Sequence, residues 1–287
     1  MKVSVVIPSY NQAKFIGATL ESVVSQGHPD LEVLVYDGGS TDETLSILQR
    51  YEDKIQFVSQ RDGGQADAIN QGLQKATGDV LAFLNSDDIY YPHALERVVD
   101  YFGANPDCLI LYGDAYHLYE DGSIMEQYYT EPWSYPRLLE ICYLCQPAVF
   151  WQREVIEHFG IFDDTLHYAL DYDYWLRVGR EIDFSYLQGT YLAGSRLHED
   201  TKTLKHRVNM HHEILQVAMR HSPSPPYRWL MSLAYVIVEA ERQRMGGEMD
   251  ERMRRGLLVQ AVIENADLKH IPLSAEVLLT LEQWLTI

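Results

Sequence analysis

The sequence predicts an α/β protein: a Rossmann-like, mostly parallel sheet flanked by helices, followed by an all-helical C-terminal extension. Three observations carry this. Short β-branched runs alternate with helical patterns through the first hundred residues. Each run ends in a cluster of small and polar residues, as at the ligand-binding edge of doubly wound sheets. From Lys205 onward only helical patterns remain.

Residues 3–7, 31–36, 55–58 and 80–84 read as strands, and 15–25, 41–51, 65–76 and 92–102 as the helices between them. The segments after the strands are Pro8-Ser9-Tyr10-Asn11, Asp37 to Asp42, Arg61 to Gln65, and Asn85 to Asp88. Their convergence on one sheet edge predicts a crevice there. A further strand is expected at 108–113, then a hairpin over 116–129 turned by Glu120, Asp121 and Gly122. Residues 146–151 read as a strand, 153–159 as a short helix, and 171–180 as a helix from the spacing of Tyr172, Trp175, Leu176 and Val178. The tail reads as helices at 208–221, 228–243, 251–266 and 274–284, with Ser222 to Pro226 as a hinge or linker. The predicted division is 1–204 and 205–287.

Composition bounds the function. With 287 residues and 46% hydrophobic content, the chain has a real core. A net charge of −19 argues against nucleic acid, whose backbone demands a basic partner. Residues 1–204 hold 13 basic against 32 acidic residues, whereas 205–287 hold ten of each. The absence of a run of about 20 apolar residues and the shortness of the N-terminal apolar run predict neither a membrane span nor a signal peptide. Cys108, Cys142 and Cys145 are too few for a disulfide framework, and the lone CxxC has no second pair to complete a zinc site. A cytoplasmic location is expected.

The most informative residues are Asn85, Ser86, Asp87 and Asp88, directly after the apolar run VLAFL. Adjacent carboxylates at the mouth of a buried strand repel each other and are poorly solvated, which a cation relieves. Hard oxygen ligands suit magnesium or manganese, and magnesium typically binds through one or two carboxylates together with substrate phosphates. The competing explanation is that both acids cap the helix opening near Pro92.

Taken together, the motifs resemble the family 2 inverting glycosyltransferases, which have the GT-A fold. The matching pieces are VSVVIPSYNQAKFIGATLESVVSQ, LEVLVYDGGSTDET, RDGGQADAINQGLQKATGDVLAFLNSDD, residues 146–151, and LDYDYWLRVG starting at Leu170. The likeness covers about residues 1–204. It implies a catalytic domain with nucleotide-sugar binding in 1–114 and the acceptor side in 115–204.

The resemblance implies the following roles. Asp37 matches the position that hydrogen-bonds the nucleotide base, with Ser40 beside it; Pro8, Ser9 and Tyr10 match the other wall of that pocket. Asp67 meets ribose or caps its helix. Asp88 matches the metal ligand, for Mg2+ or Mn2+, and Asp87 faces ribose or the donor sugar. Asp171 matches the general base, with Asp173 the runner-up; Leu170 stands where the family often has Glu. Arg196 and His198 match a late R-x-H segment, Arg196 pairing with phosphate and His198 completing the metal shell or contacting phosphate.

The implied activity is transfer from a UDP- or dTDP-sugar to a hydroxyl of a polysaccharide, glycolipid or related glycan, the acceptor being a glycan or lipid-linked. Two alternatives stand beside it. A sugar nucleotidyltransferase would have a Gly-rich basic loop after the first strand, and Pro8 to Gln12 contains neither glycine nor base. A non-catalytic nucleotide-sugar-binding protein is the other. In the tail, Arg242, Arg244, Arg252, Arg254 and Arg255 suit peripheral contact with the inner membrane face. The interleaved acids favour instead a salt-bridged surface, with packing on the catalytic domain or homo-oligomerisation as the tail's role.

Overall fold

The computed structural model describes residues 1–286. Its first elements are β1 (Val3–Ser9), α1 (Ile16–Val24), β2 (Leu31–Asp37), α2 (Thr44–Gln49), β3 (Gln56–Ser59), α3 (Gln65–Lys75), β4 (Val80–Phe83), β5 (Ile89–Tyr90) and α4 (Ala94–Ala104). There follow β6 (Ile110–Leu118), β7 (Ile124–Gln127), α5 (Tyr135–Leu138), β8 (Val149–Gln152), α6 (Arg153–Phe159), α7 (Leu170–Gly179) and β9 (Ser185–Arg196). The rest is helical: α8 (Lys202–Lys205), α9 (Arg207–His221), α10 (Tyr227–Arg244), α11 (Glu251–Leu268) and α12 (Ala275–Thr286). The chain divides into two compact units, Met1–Tyr135 with Tyr143–Thr201, and Pro136–Cys142 with the chain from Lys202 onward.

The sheet runs β3-β2-β1-β4-β8-β6-β9-β5, with β7 paired to β6. β1 is parallel to β2 and β4, and β2 to β3. β8 is antiparallel to both β4 and β6, so the sheet is mixed beyond the first four strands. β1 and β4 are buried throughout, which is why both read as continuous apolar runs rather than alternating ones.

The two faces are covered differently. On one, Ile16, Leu20 and Val23 of α1 recur at helical spacing and join the cluster containing Val3, Val5 and Ile7 of β1. On the other, α3 approaches so closely that a Cβ at Gly72 would sit 2.3 Å from Val6 Cγ1, so only glycine seats this helix. Farther along that face, α7 docks through aromatic rings: Phe162 lies 5.3 Å from Phe83 and 4.4 Å from Tyr174, and Trp151 lies 5.7 Å from Trp175. Each such ring removes about 150–250 Å² from water, making this cluster the main anchor of α7. The Asn70 amide fixes Phe162 by accepting its N–H (3.0 Å) and donating to its carbonyl (2.9 Å).

Some elements differ from the sequence expectation. The 146–151 run divides into a 3-10 turn at Gln146–Ala148 and then β8, because Pro147 has no N–H to give a ladder. α2 starts at Thr44 rather than 41, since Asp42 accepts the Thr44 N–H (3.0 Å) and holds the preceding residues in a turn. β5, β9 and α8 were not anticipated. In the second unit, Leu215, Leu230, Leu233, Val262 and Leu281 form a separate core, and Asp250 caps α11 by accepting the Met253 N–H (2.7 Å). Among the described residues, no helix is long and apolar enough to cross a membrane.

Glu32 at the start of β2 ties β1 and β4 together. It accepts from Ser4 Oγ (2.5 Å), Thr77 N–H (2.7 Å), Thr77 Oγ1 (2.7 Å) and Lys2 Nζ (3.0 Å). Burial alone would raise its pKa, but these bonds outweigh burial and hold it down at about 2. The stabilisation is therefore full above the ordinary Glu value of 4.5 and is lost as pH falls toward about 2. After discounting for solvent screening, Glu32→Gln should cost about 2 kcal/mol at pH 7, and the difference from wild type should vanish below pH 2 in denaturant titrations.

Candidate active site

The turn after β4 is built from the interior outward. Thr19 of α1 places its hydroxyl 2.9 Å from the Ser86 carbonyl and 2.8 Å from that of Asp88, fixing the backbone. Asp88 is 3% exposed; its Oδ1 accepts the Arg196 N–H (2.8 Å) and its Oδ2 the Asn85 amide (3.2 Å). Burial, with the charge of Asp87 beside it, pushes the Asp88 carboxyl well above the usual range, against the pull of those donors. Asp87 turns the other way. Its Oδ2 lies 3.0 Å from His198 Nε2, and its side chain is the more accessible of that pair, at 17% against 6%.

Arg196 closes this arrangement from the end of β9. Nε donates to the Asp87 carbonyl (2.8 Å) and an Nη to the Glu120 carbonyl (2.9 Å) at the tip of the β6–β7 hairpin. The guanidinium also stands 5.3 Å from the Phe15 ring centroid. Its donors are thus engaged by main chain, which gives Arg196 a structural role that the sequence did not reveal. The amides of Asn85, Gln65 and Gln146 extend the network: Gln65 Nε2 donates to Asn85 (2.7 Å), Asn85 to Gln146 (3.2 Å), and Gln146 to the Phe83 carbonyl (2.8 Å). Asn85 directly before Ser86, Gln65 in the loop after β3 and Gln146 heading the 146–151 motif were the available signals, but none of them showed that these amides bond to one another.

The loops after β1, β2 and β3 form a second group. Asp37, 2% exposed, accepts from the N–H groups of Gly39 (3.2 Å) and Ser40 (2.8 Å) and from the hydroxyls of Ser40 and Ser59 (2.6 Å for the latter). Ser40 Oγ in turn accepts the Asn11 N–H (2.7 Å), latching the β1 loop to the β2 loop. Pro8 and Ser9 are buried at the end of β1, with Ser9 opposite Asp37 in the parallel ladder, while Tyr10 is 60% exposed. Ser9 Oγ is buried and has no hydrogen-bond partner among the described residues. Asp67 accepts the Gly63 N–H (2.9 Å) and the Gln71 amide (2.9 Å), so it holds the turn ahead of α3.

Asp171 comes from a separate element, the first turn of α7, where it is half-buried and its Oδ1 accepts the Tyr172 N–H (2.8 Å). Asp173 is 6% exposed and Leu170 4%. The structure thus brings together Asp87, Asp88, Arg196 and His198, and separately Ser9, Asp37 and Ser40.

A mixed α/β sheet with carboxylates gathered at the C-terminal edge of its parallel strands defines the class, and the chain belongs to glycosyl transferase family 2, whose family model matches residues 4–147. It is similar to an uncharacterised glycosyltransferase of Rickettsia prowazekii, 30% identical over 68% of this chain and 64% of the relative, so it spans less than two thirds of that protein. Chondroitin synthase of Escherichia coli is 29% identical over 64% of this chain and 27% of its own length. Among solved structures, S. aureus TarS in complex with UDP-GlcNAc superposes with TM-score 0.63 at 19% identity, over 93% of this chain and 83% of that one. The mannosyltransferase PcManGT from Pyrobaculum calidifontis, in complex with GDP-Man and Mn2+, gives TM-score 0.60 at 17% identity, over 99% and 83%. The fold is therefore GT-A.

Removing the Arg196 side chain leaves the carbonyls of Asp87 and Glu120 without their donors. Arg196→Ala should cost about 2–4 kcal/mol in chemical denaturation. Arg196→Lys should recover little of it, because one ammonium cannot reproduce the fork that serves both carbonyls.

Proposed function

We propose that the protein is a metal-assisted inverting glycosyltransferase that moves a sugar from a UDP- or dTDP-sugar to a hydroxyl of a polysaccharide, glycolipid or related glycan. The observation that carries this is the Asp87–His198 pair beside a buried, already bonded Asp88. The 3.0 Å between Asp87 Oδ2 and His198 Nε2 is roughly the separation of neighbouring ligands on an octahedral ion with bonds of about 2.1 Å. Among the described residues no third His, Cys, Asp or Glu joins them, a sparse set suited to magnesium or manganese sharing its shell with water and phosphate. We therefore assign the carboxylate ligand to Asp87 rather than Asp88, whose oxygens already serve Arg196 and Asn85. When bound there, the ion would neutralise charge on the diphosphate leaving group.

The remaining work falls to the chain. Ser9, with its unpaired buried hydroxyl, and the Asp37–Ser40 loop line the donor side; residues 115–204 supply the acceptor side. Asp171 removes the proton of the acceptor hydroxyl as that oxygen attacks the anomeric carbon from the face opposite the diphosphate. The bond to the diphosphate oxygen breaks, and the centre inverts in one displacement. In the tail, arginines pair with neighbouring acids, Arg242 with Glu239 (2.6 Å) and Arg255 with Glu251 (2.8 Å), which supports a solvated surface over membrane contact. A cytoplasmic location and self-association through the tail complete the proposal.

Purified protein should transfer or slowly hydrolyse a UDP-sugar, and chelator should stop it; activity indifferent to divalent ions would remove the metal from the proposal. Asp171→Asn should lower kcat by about 10²–10⁴-fold while leaving UDP binding intact. Asp87→Asn should abolish metal-dependent turnover, whereas Asp88→Asn should keep it; the reverse pattern would restore Asp88 as the ligand.

A further inference from the structure

A histidine that serves a metal ordinarily has its other ring nitrogen bonded to a carboxylate, a carbonyl or water, which fixes the ring's orientation and tautomer. Among the described residues, none plays that part for His198. Its Nε2 meets Asp87 at 3.0 Å and its main-chain N–H donates to Thr201 Oγ1 (2.8 Å), but among the described residues Nδ1 has no hydrogen-bond partner. What lies against the imidazole instead is Phe15, whose ring centroid is 4.4 Å away at an interplanar angle of 36°. Phe15 is itself 7% exposed and held in place. It directly precedes α1, its N–H donates to the Gln12 carbonyl (3.0 Å), and the Arg196 guanidinium stands 5.3 Å from its ring.

We propose that Phe15 is the positioning residue for His198, taking the role that a second hydrogen bond would otherwise play. The mechanism is steric and electrostatic. A planar neighbour at van der Waals distance leaves the imidazole few orientations, and the one observed aims Nε2 at Asp87. The contact spans the chain, joining the loop after β1 to the segment after β9. It couples the loop after β1 to the histidine paired with Asp87, so a change at residue 15 is felt at residue 198 with no shared hydrogen bond. Arg196, bonded to the Asp87 carbonyl and packed over the same ring, fixes Phe15 relative to the acidic turn.

The inference rests on the Asp87–His198 assignment above where it concerns metal affinity, and on geometry alone where it concerns the ring. The test therefore reads both in the full-length protein. Imidazole nitrogen NMR reports the Nε2 environment of His198 without metal, and titration with Mn2+ in the presence of UDP, followed by electron paramagnetic resonance, reports affinity. Phe15→Leu keeps an apolar side chain of nearly matching volume and should fold; Phe15→Tyr keeps the ring.

Expected for Phe15→Leu are a shifted, averaged His198 nitrogen signal and about 10–100-fold weaker Mn2+ binding, the range seen when an orienting partner of a metal ligand is lost. Both should return in Phe15→Tyr. If Phe15→Leu shows the wild-type nitrogen spectrum, the inference is overturned, whatever its melting temperature. If His198→Ala binds Mn2+ like wild type, the metal assignment falls while the spectrum still decides the role of Phe15. If His198→Ala loses Mn2+ and Phe15→Leu does not, the metal assignment stands and Phe15 has no part in it.

Discussion

The structure depends on how two adjacent acids share one turn. Like charges about 4 Å apart repel by roughly 4 kcal/mol at the effective dielectric of a protein surface, enough to distort a turn that left both facing the same way. Here they are separated by direction. Asp88 points inward, its cost reduced by the Arg196 N–H, the Asn85 amide and a carboxyl that holds its proton more tightly than usual. Asp87 points outward to His198. The residue that makes both possible lies 108 positions along the chain, so the turn cannot reach its final form until β9 is in place. The short β5–β9 pairing, Ile89 with Gly194 and Tyr90 with Ala193, lies directly between the two and sets their register.

The donor edge obeys a related constraint. A carboxylate offers about four lone-pair positions, and Asp37 already receives four donors from Gly39, Ser40 and Ser59. If Asp37 meets the nucleotide base, as the family resemblance implies, the base would have to replace a serine hydroxyl, the donor most easily displaced because it can rotate. Asp37 thus organises the loop after β2 through both of its carboxylate oxygens. Ser40 and Asn11 show the same economy, using side chains at the pocket to hold the β1 and β2 loops against each other.

How much of this was legible in the sequence follows from distance along the chain. β1, β2 and β4 announce themselves because strands buried on both faces are apolar throughout, and the loop residues Asp37, Ser40 and Asp87 stand directly after them. β9 does not announce itself. Its sequence, SYLQGTYLAGSR, carries two glycines and no clean alternation, and its pairing with β6 contains register shifts, so its identity as a strand is set by partners some 80 residues away. Adjacency in sequence also cannot say which of Asp87 and Asp88 faces the cleft, since that choice belongs to Arg196 and Asn85. Phe15 looked like any apolar helix residue for the same reason: its significance lies in a ring contact with residue 198.

Charge bookkeeping at the cleft gives the last step. Residues 1–204, which receive the donor diphosphate in the proposed function, carry the whole of the chain's acidic excess. Their obvious cations are already engaged: Arg196 by main-chain carbonyls, and Lys14 by the Glu120 carboxylate. Arg61, just after β3, is exposed and has no ion-pair partner among the described residues, but a single exposed guanidinium contributes on the order of 1 kcal/mol to holding an anion. A dianionic diphosphate set beside Asp87, as the proposed function has it, would need a stronger positive charge at that carboxylate than these side chains supply. In the proposed function, a divalent cation held by Asp87 and His198 would supply that charge beside the leaving group.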